Sequence, residues 1–213
     1  MEIVRPKPQV FLKANGGNPW TGTLDDAVVQ QFLFNAAIEG EAQILRWIDS
    51  GDLAPDAAFA QVYLDPTNPR DQTTIKDRVF AFVIHGDSQK ALSLVPNAVA
   101  KADATDRHGG RRNGELVERA NFCLGIGDFA WGDSATYYGA ISAGSGLEPW
   151  QDHDLSQLEL ETTMRAVHNA RTAWLEERRK IGSHGWLNEA NVPYVAYEIQ
   201  KSSIGDWLPF NPS

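Results

Sequence analysis

The chain carries a single cysteine, Cys123, among 213 residues. That excludes an internal disulfide framework and any multi-cysteine metal or cluster site. Basic residues are also scarce: 19 Lys and Arg stand against 28 Asp and Glu, a formal net charge of −9. Contact with phosphates needs a basic face, so this balance argues against nucleic acid and against an anionic membrane surface, while leaving a basic protein partner open. No apolar run approaches the roughly 18 residues of a membrane span. The stretch from Met1 to Leu12, interrupted by Arg5, Pro6, Lys7 and Pro8, has no apolar core of the kind a signal peptide needs. These absences lead to the expectation of a cytoplasmic protein.

What is present suits a globular chain. At 42% hydrophobic and 22% charged residues, 213 positions fit one domain that buries its own core. Residues 1–22 read as an irregular lead-in broken by Pro6, Pro8, Gly16, Gly17 and Pro19, with Val10–Leu12 a short strand or core packing. Thr23, with Asp26 at capping-box spacing, opens a helix whose Leu24, Val28, Phe32 and Ile38 recur at helical intervals up to Gly40. Residues 41–48 read as a second helix, stopped by Asp49-Ser50-Gly51. Residues 101–114, polar and glycine-rich, read as the clearest loop. Residues 154–181 read as a long amphipathic helix capped by Asp154 and ending in Arg178-Arg179-Lys180. The tail resumes with a helix after Pro193 and a docking segment from Trp207 to Phe210.

The segment from Arg78 to Gly86 is ambiguous. Its clustered Val, Phe and Ile read as a buried strand, but the N-cap pair Asp87-Ser88 and the helical run 89–95 before Pro96 follow at once. Repetition decides the reading. Gly40, Gly86 and Gly132 lie 46 residues apart, each followed by an acid (Glu41, Asp87, Asp133). Phe34, Phe80 and Ile126 precede them at one offset, and Leu45, Ala91 and Tyr137 follow at another. A helix ended by glycine, an acidic cap and a second helix would produce this pattern. The expected fold is therefore all-α, with three degenerate helix–turn–helix units over 24–69, 70–115 and 116–161 stacked as a short solenoid or bundle; an α/β single domain is the alternative. A strand over Val79–Ile84 would undo the repeat.

Three groups of residues bear on chemistry. His85-Gly86-Asp87-Ser88 resembles the His-Gly turn of α/β-hydrolases, and Ala140-Ile141-Ser142-Ala143-Gly144 has the small-x-Ser-x-small form of a nucleophile elbow. That alternative makes Ser142 the nucleophile of a small serine hydrolase, with His184 or His168 as base and Asp154 or Asp152 as acid. Asp152, His153 and Asp154, with His168 one helix surface away, contain possible metal ligands, but helix capping explains Asp154, so neither a metal nor a cofactor is assigned. Seven tryptophans are many for this length. Trp47 and Trp174 fall on apolar faces, whereas Trp131 and Trp150 lie near turns and suit anchors of a binding surface. Acids at the repeat turns would give that surface a negative edge that steers a basic partner. The candidate partner-binding residues are Glu39, Glu41, Asp87, Asp128, Trp131, Asp133 and Trp150. Cys123 reads as a small buried hydrophobe.

Leu124-Gly125, Gly132-Asp133 and Leu147-Glu148-Pro149 resemble the Leu-Gly, mid-loop Gly and closing Pro of a tetratricopeptide repeat, although Asp128 and Tyr137 stand where that family prefers Tyr and Ala. Through the segments Phe80–Val95 and Asn121–Pro149, the chain also resembles the α-helical immunity proteins of polymorphic toxin systems. That resemblance implies a non-enzymatic protein-binding module whose acidic surface covers a basic effector.

Overall fold

The computed structural model describes residues 5–14, 17–68, 73–126 and 128–181. The chain forms two compact units, residues 1–170 and 171–213. The expectations for His184, the helix after Pro193 and the segment from Trp207 to Phe210 lie outside the described residues.

The first unit is mixed α/β, not a helical repeat, so the all-α expectation is corrected. The described elements run β1 (Gln9–Leu12), α1 (Asp26–Ser50), β2 (Phe59–Leu64), α2 (Ile75–Arg78), β3 (Val79–His85), α3 (Ser88–Arg107), α4 (Asn113–Arg119), a 3₁₀ turn at Asn121–Cys123, β4 (Ser134–Tyr137), β5 (Ala140–Ser145) and α5 (Pro149–Lys180). The strands form one sheet in the order β1-β3-β2-β5-β4, with every neighbouring pair antiparallel.

Both faces of the sheet are covered, which is why its strands look unlike half-exposed strands. Along β2, Phe59 and Tyr63 pack among residues of α1 and α5, while Ala60, Val62 and Leu64 pack with Ala91, Ala98 and Ala102 of α3. A strand buried on two sides needs no polar alternation, and all six residues of β2 are buried. β3, the run whose composition reads as a strand, is also covered on both faces, with Val79 and Phe82 only partly buried. A bulge opposite Tyr63 and Leu64 turns Phe80 and Ala81 toward the α1 and α5 side together.

The three equally spaced glycines share no common role in a repeat. Gly40 does not end a helix: α1 runs through it unbroken from Asp26 to Ser50. A Cβ there would collide with the Glu159 carboxylate of α5, so this glycine permits close helix approach. Gly86 (φ 77°) and Gly132 (φ 72°) are left-handed positions in the loops before α3 and β4. Equal spacing was coincidence.

Three local expectations also change. Asp25, not Thr23, is the N-cap of α1, and its side chain makes no capping bond. Pro96 sits inside α3, which continues through Lys101 to Arg107 and takes half of the expected 101–114 loop into a helix. Finally, α5 starts at Pro149, so Asp154 lies within it. Pro149 suits the first helical position because its missing N–H would have had no partner. Gln151 Oε1 accepts the Glu148 N–H at 3.2 Å and Asp152 Oδ1 accepts the Leu147 N–H at 3.0 Å, which satisfies the donors just ahead of the helix.

From the start of α5, two side chains seal the sheet edge. His153 Nδ1 lies 2.9 Å from the Ser134 carbonyl, and Gln157 Nε2 donates to the Thr136 carbonyl at 3.3 Å. Four residues of helix rise about 6.0 Å and two of strand about 6.8 Å, so the periods match over this length. The covered carbonyls are withdrawn from edge-to-edge pairing.

In the second unit, the described residues continue the helix to Lys180, and the Arg178 guanidinium carbon lies 5.4 Å from the Trp174 ring centroid. The expected basic last turn is present. Among the described residues, no helix is long and apolar enough to cross a membrane.

Candidate functional site

A cleft of about 490 Å³ opens between α4, the segment 130–133 and the first turns of α5. Its walls include Trp131 and Trp150, and its charged groups are Arg112, Glu118, Asp133 and Asp154. Trp131 is 73% exposed and Trp150 51%. Large apolar side chains held open to solvent beside a cavity suit binding better than packing.

The chain positions each wall by specific bonds. At the start of α4, the Asn113 N–H donates to Ser134 Oγ at 2.8 Å and the Gly114 N–H to Asp133 Oδ1 at 2.9 Å. Asp133 is therefore a helix cap as well as a lining residue. Trp150 is fixed by Trp47, whose buried ring meets it edge to face with centroids 5.5 Å apart. His153 lies between the Ser134 carbonyl and the Arg112 guanidinium, 2.9 Å from each. A carbonyl on one side and a donor on the other select the Nδ1–H tautomer, with Nε2 accepting from Arg112.

Behind the cleft lies a buried ion pair. Lys101 Nζ reaches Asp152 Oδ2 at 2.6 Å and the Gly144 carbonyl at 2.7 Å, and it sits 5.7 Å from the Phe129 ring centroid. Gly132 leaves room for it, since a Cβ at that position would collide with the ammonium. Burial raises the Asp152 carboxyl to about 6, with Lys101 only partly countering it. The pair thus ties α3 to α5 directly beneath the 130–133 wall.

A second polar system fills the space between the sheet and the α1 and α5 layer. Arg5 Nε donates to Glu41 Oε1 at 2.7 Å, and Glu41 Oε2 lies 2.9 Å from His85 Nδ1. His85 Nε2 lies 2.8 Å from Glu159 Oε1, too oblique for a hydrogen bond but a close ionic contact. The Tyr63 hydroxyl donates to Glu159 Oε2 at 3.2 Å. Burial works against a charged His85, yet Glu159 and Glu41 outweigh it and hold the imidazolium up to about 9. Two cations and two carboxylates then balance in the interior. His85 is fully buried, so the arrangement braces the fold.

The sequence-stated candidates divide between these places. Trp131, Asp133 and Trp150 meet at the cleft, joined by Asp154. Glu41 belongs to the buried network instead. Glu39 accepts a hydrogen bond from Thr162 Oγ1 at 3.0 Å. Asp87 is the N-cap of α3, accepting from the Lys90 N–H at 2.8 Å, beside a second cavity of about 350 Å³. Asp128 is held in an ion pair by Arg107.

Ser142 is fully buried in the middle of β5, where its hydroxyl accepts from Gln61 Nε2 at 3.0 Å and faces the Ser156 carbonyl at 3.3 Å. It occupies no strand-to-helix turn, and His184 lies outside the described residues. Asp152 and His153 face different partners, and among the described residues no three His, Cys, Asp or Glu side chains cluster as metal ligands. Cys123 falls in a 3₁₀ turn at intermediate exposure and is not a buried helical residue.

Sequence reasoning missed Arg112, Glu118 and Lys101. Lys101 left a signal, because it is a lone cation in the alanine-rich run Ala98-Val99-Ala100-Lys101-Ala102, where a buried helix face needs a paired charge. No protein-family model, no curated protein and no solved structure matches the chain.

Proposed function

We propose that this protein is a non-enzymatic protein-binding module of the cytoplasm that takes a basic partner protein at the cleft walled by Trp131 and Trp150. The observation that carries this reading is the meeting of two exposed tryptophans with an excess of carboxylate in one cavity. Glu118, Asp133 and Asp154 stand against Arg112 there, on a chain of net charge −9. Tryptophan anchors supply contact area at little entropic cost, and the surrounding charge steers an oppositely charged partner while repelling nucleic acid. Neutralisation of a basic toxin by an immunity protein is the sharpest form of the proposal.

The test is co-purification from the native host at low and high salt, using the wild type and the Trp131→Ala/Trp150→Ala double variant. A basic protein retained by the wild type at low salt and lost by the double variant is the expected result. Recovery of no partner, or of one indifferent to both tryptophans, overturns the proposal.

A further inference from the structure

We infer that the group recognised in the cleft is an arginine side chain of the partner, its guanidinium stacked on the Trp150 indole and held at its edge by Asp154 and Glu118. The inference rests on the basic-partner reading and narrows it to one chemical group.

Charge pairing within the cleft singles out two carboxylates. Arg112 is already engaged, with His153 Nε2 at 2.9 Å, Asp133 Oδ2 at 3.5 Å and Glu115 Oε1 at 3.7 Å. Asp133 is in turn committed to the Gly114 and Ser134 N–H groups. Asp154 and Glu118 are exposed, and among the described residues neither has an ion-pair or hydrogen-bond partner. The unmet charge is negative and comes from two elements, α4 and α5. A cation is the complement.

Geometry then separates guanidinium from ammonium. Trp47 meets Trp150 at an interplanar angle of 81°, which fixes the indole in place while half its surface stays exposed. A flat, weakly hydrated guanidinium covers such a face, and its forked donors can serve carboxylates on two sides at once. A lysine ammonium is compact and strongly hydrated, so it gains less from the ring. The chain already makes this pairing within itself, between Arg178 and Trp174. The cleft volume of about 490 Å³ leaves room for the backbone on either side of the arginine.

The experiment is a nuclear magnetic resonance titration of the full chain, following the indole N–H signals, with N-acetylarginine methylamide and N-acetyllysine methylamide. We expect the arginine derivative to bind about fivefold tighter and to move the Trp150 signal. Trp150→Leu should reduce its affinity to that of the lysine derivative, with the signals of the remaining indoles confirming the fold. Asp154→Asn, at an exposed helix position, should weaken both ligands about threefold. Equal affinities in the wild type, or an arginine preference that survives in Trp150→Leu, overturn the arginine assignment but leave the basic-partner reading standing. Failure of both derivatives to shift Trp131 or Trp150 overturns both.

Discussion

Lys101 and Asp152, 51 residues apart in the chain, close a buried ion pair at 2.6 Å that joins α3 to the first turn of α5. The ammonium is 1% exposed, so neither charge can turn to water if its partner is removed. Lys101→Met should therefore destabilise the fold by about 3–5 kcal/mol, the cost of an orphaned buried carboxylate. The double variant Lys101→Met/Asp152→Leu removes both charges and should recover most of that loss. Urea denaturation of the single and double variants measures the difference, and a double variant no more stable than the single one would refute the account.

Asp152 also sets a pH dependence. Its carboxyl titrates near 6 in the fold, against 3.8 for its ordinary value. The fold thus binds this proton more tightly than the unfolded chain does, and ionisation costs stability as pH rises from about 4 to 6. The contribution is about 3 kcal/mol. Asp152→Asn should flatten the stability profile across that window relative to the wild type. Denaturation midpoints at pH 4, 5, 6 and 7 give the comparison, and parallel profiles would count against it.

His85 acts in a higher window. Its folded value of about 9 exceeds the ordinary 6.5 because Glu159 and Glu41 outweigh the effect of burial. The stabilisation is complete below pH 6.5 and disappears as pH rises through 9, a change of about 3 kcal/mol. His85→Gln should be less stable than the wild type at pH 6.5 and should show little further loss up to pH 9.5. The check is urea denaturation across that range, together with the imidazole carbon-bound proton shift, which should titrate near 9.

Gly40 separates two opposing effects of known size. In an exposed helix, glycine to alanine would stabilise by about 1 kcal/mol. Here the new methyl would meet the Glu159 carboxylate, and overpacking costs about 1–3 kcal/mol before the loss of the His85 contact is counted. Gly40→Ala should therefore destabilise, by about 2 kcal/mol net, and should lower the pH at which His85 titrates. A stabilised variant would show that α1 and α5 part easily at this point.

The reading from sequence succeeded where the signal was local. Gly51 does end α1 and Asp87 does cap α3. It failed where identity depended on distant packing. Nothing near Gly40 in the chain reveals that Glu159 will press against it, so a close-approach glycine has the sequence signature of a terminator. Val79–His85 has the composition of a strand, and the helical signals that follow it together with the supposed repeat argue otherwise. The 101–107 stretch reads as a loop because it is polar, whereas in the fold Lys101 and Arg107 each find a carboxylate partner. The exposure of Trp131 and Trp150 is legible from their place near turns, but their shared cleft is not, because 18 residues and a β-hairpin separate them.

Ser142 supplies the last test, because its chemistry and its structural role lead to opposite expectations. As a nucleophile it would have to be open to substrate, yet its side chain is fully buried between Gln61 and the Ser156 carbonyl. A fluorophosphonate probe should leave the native protein unlabelled at this position, as read by peptide mass spectrometry. Ser142→Ala should cost about 1 kcal/mol, since Gln61 Nε2 loses one acceptor but keeps the Ser156 carbonyl at 3.1 Å. Stoichiometric labelling at Ser142 under native conditions would contradict the burial and reopen the hydrolytic reading.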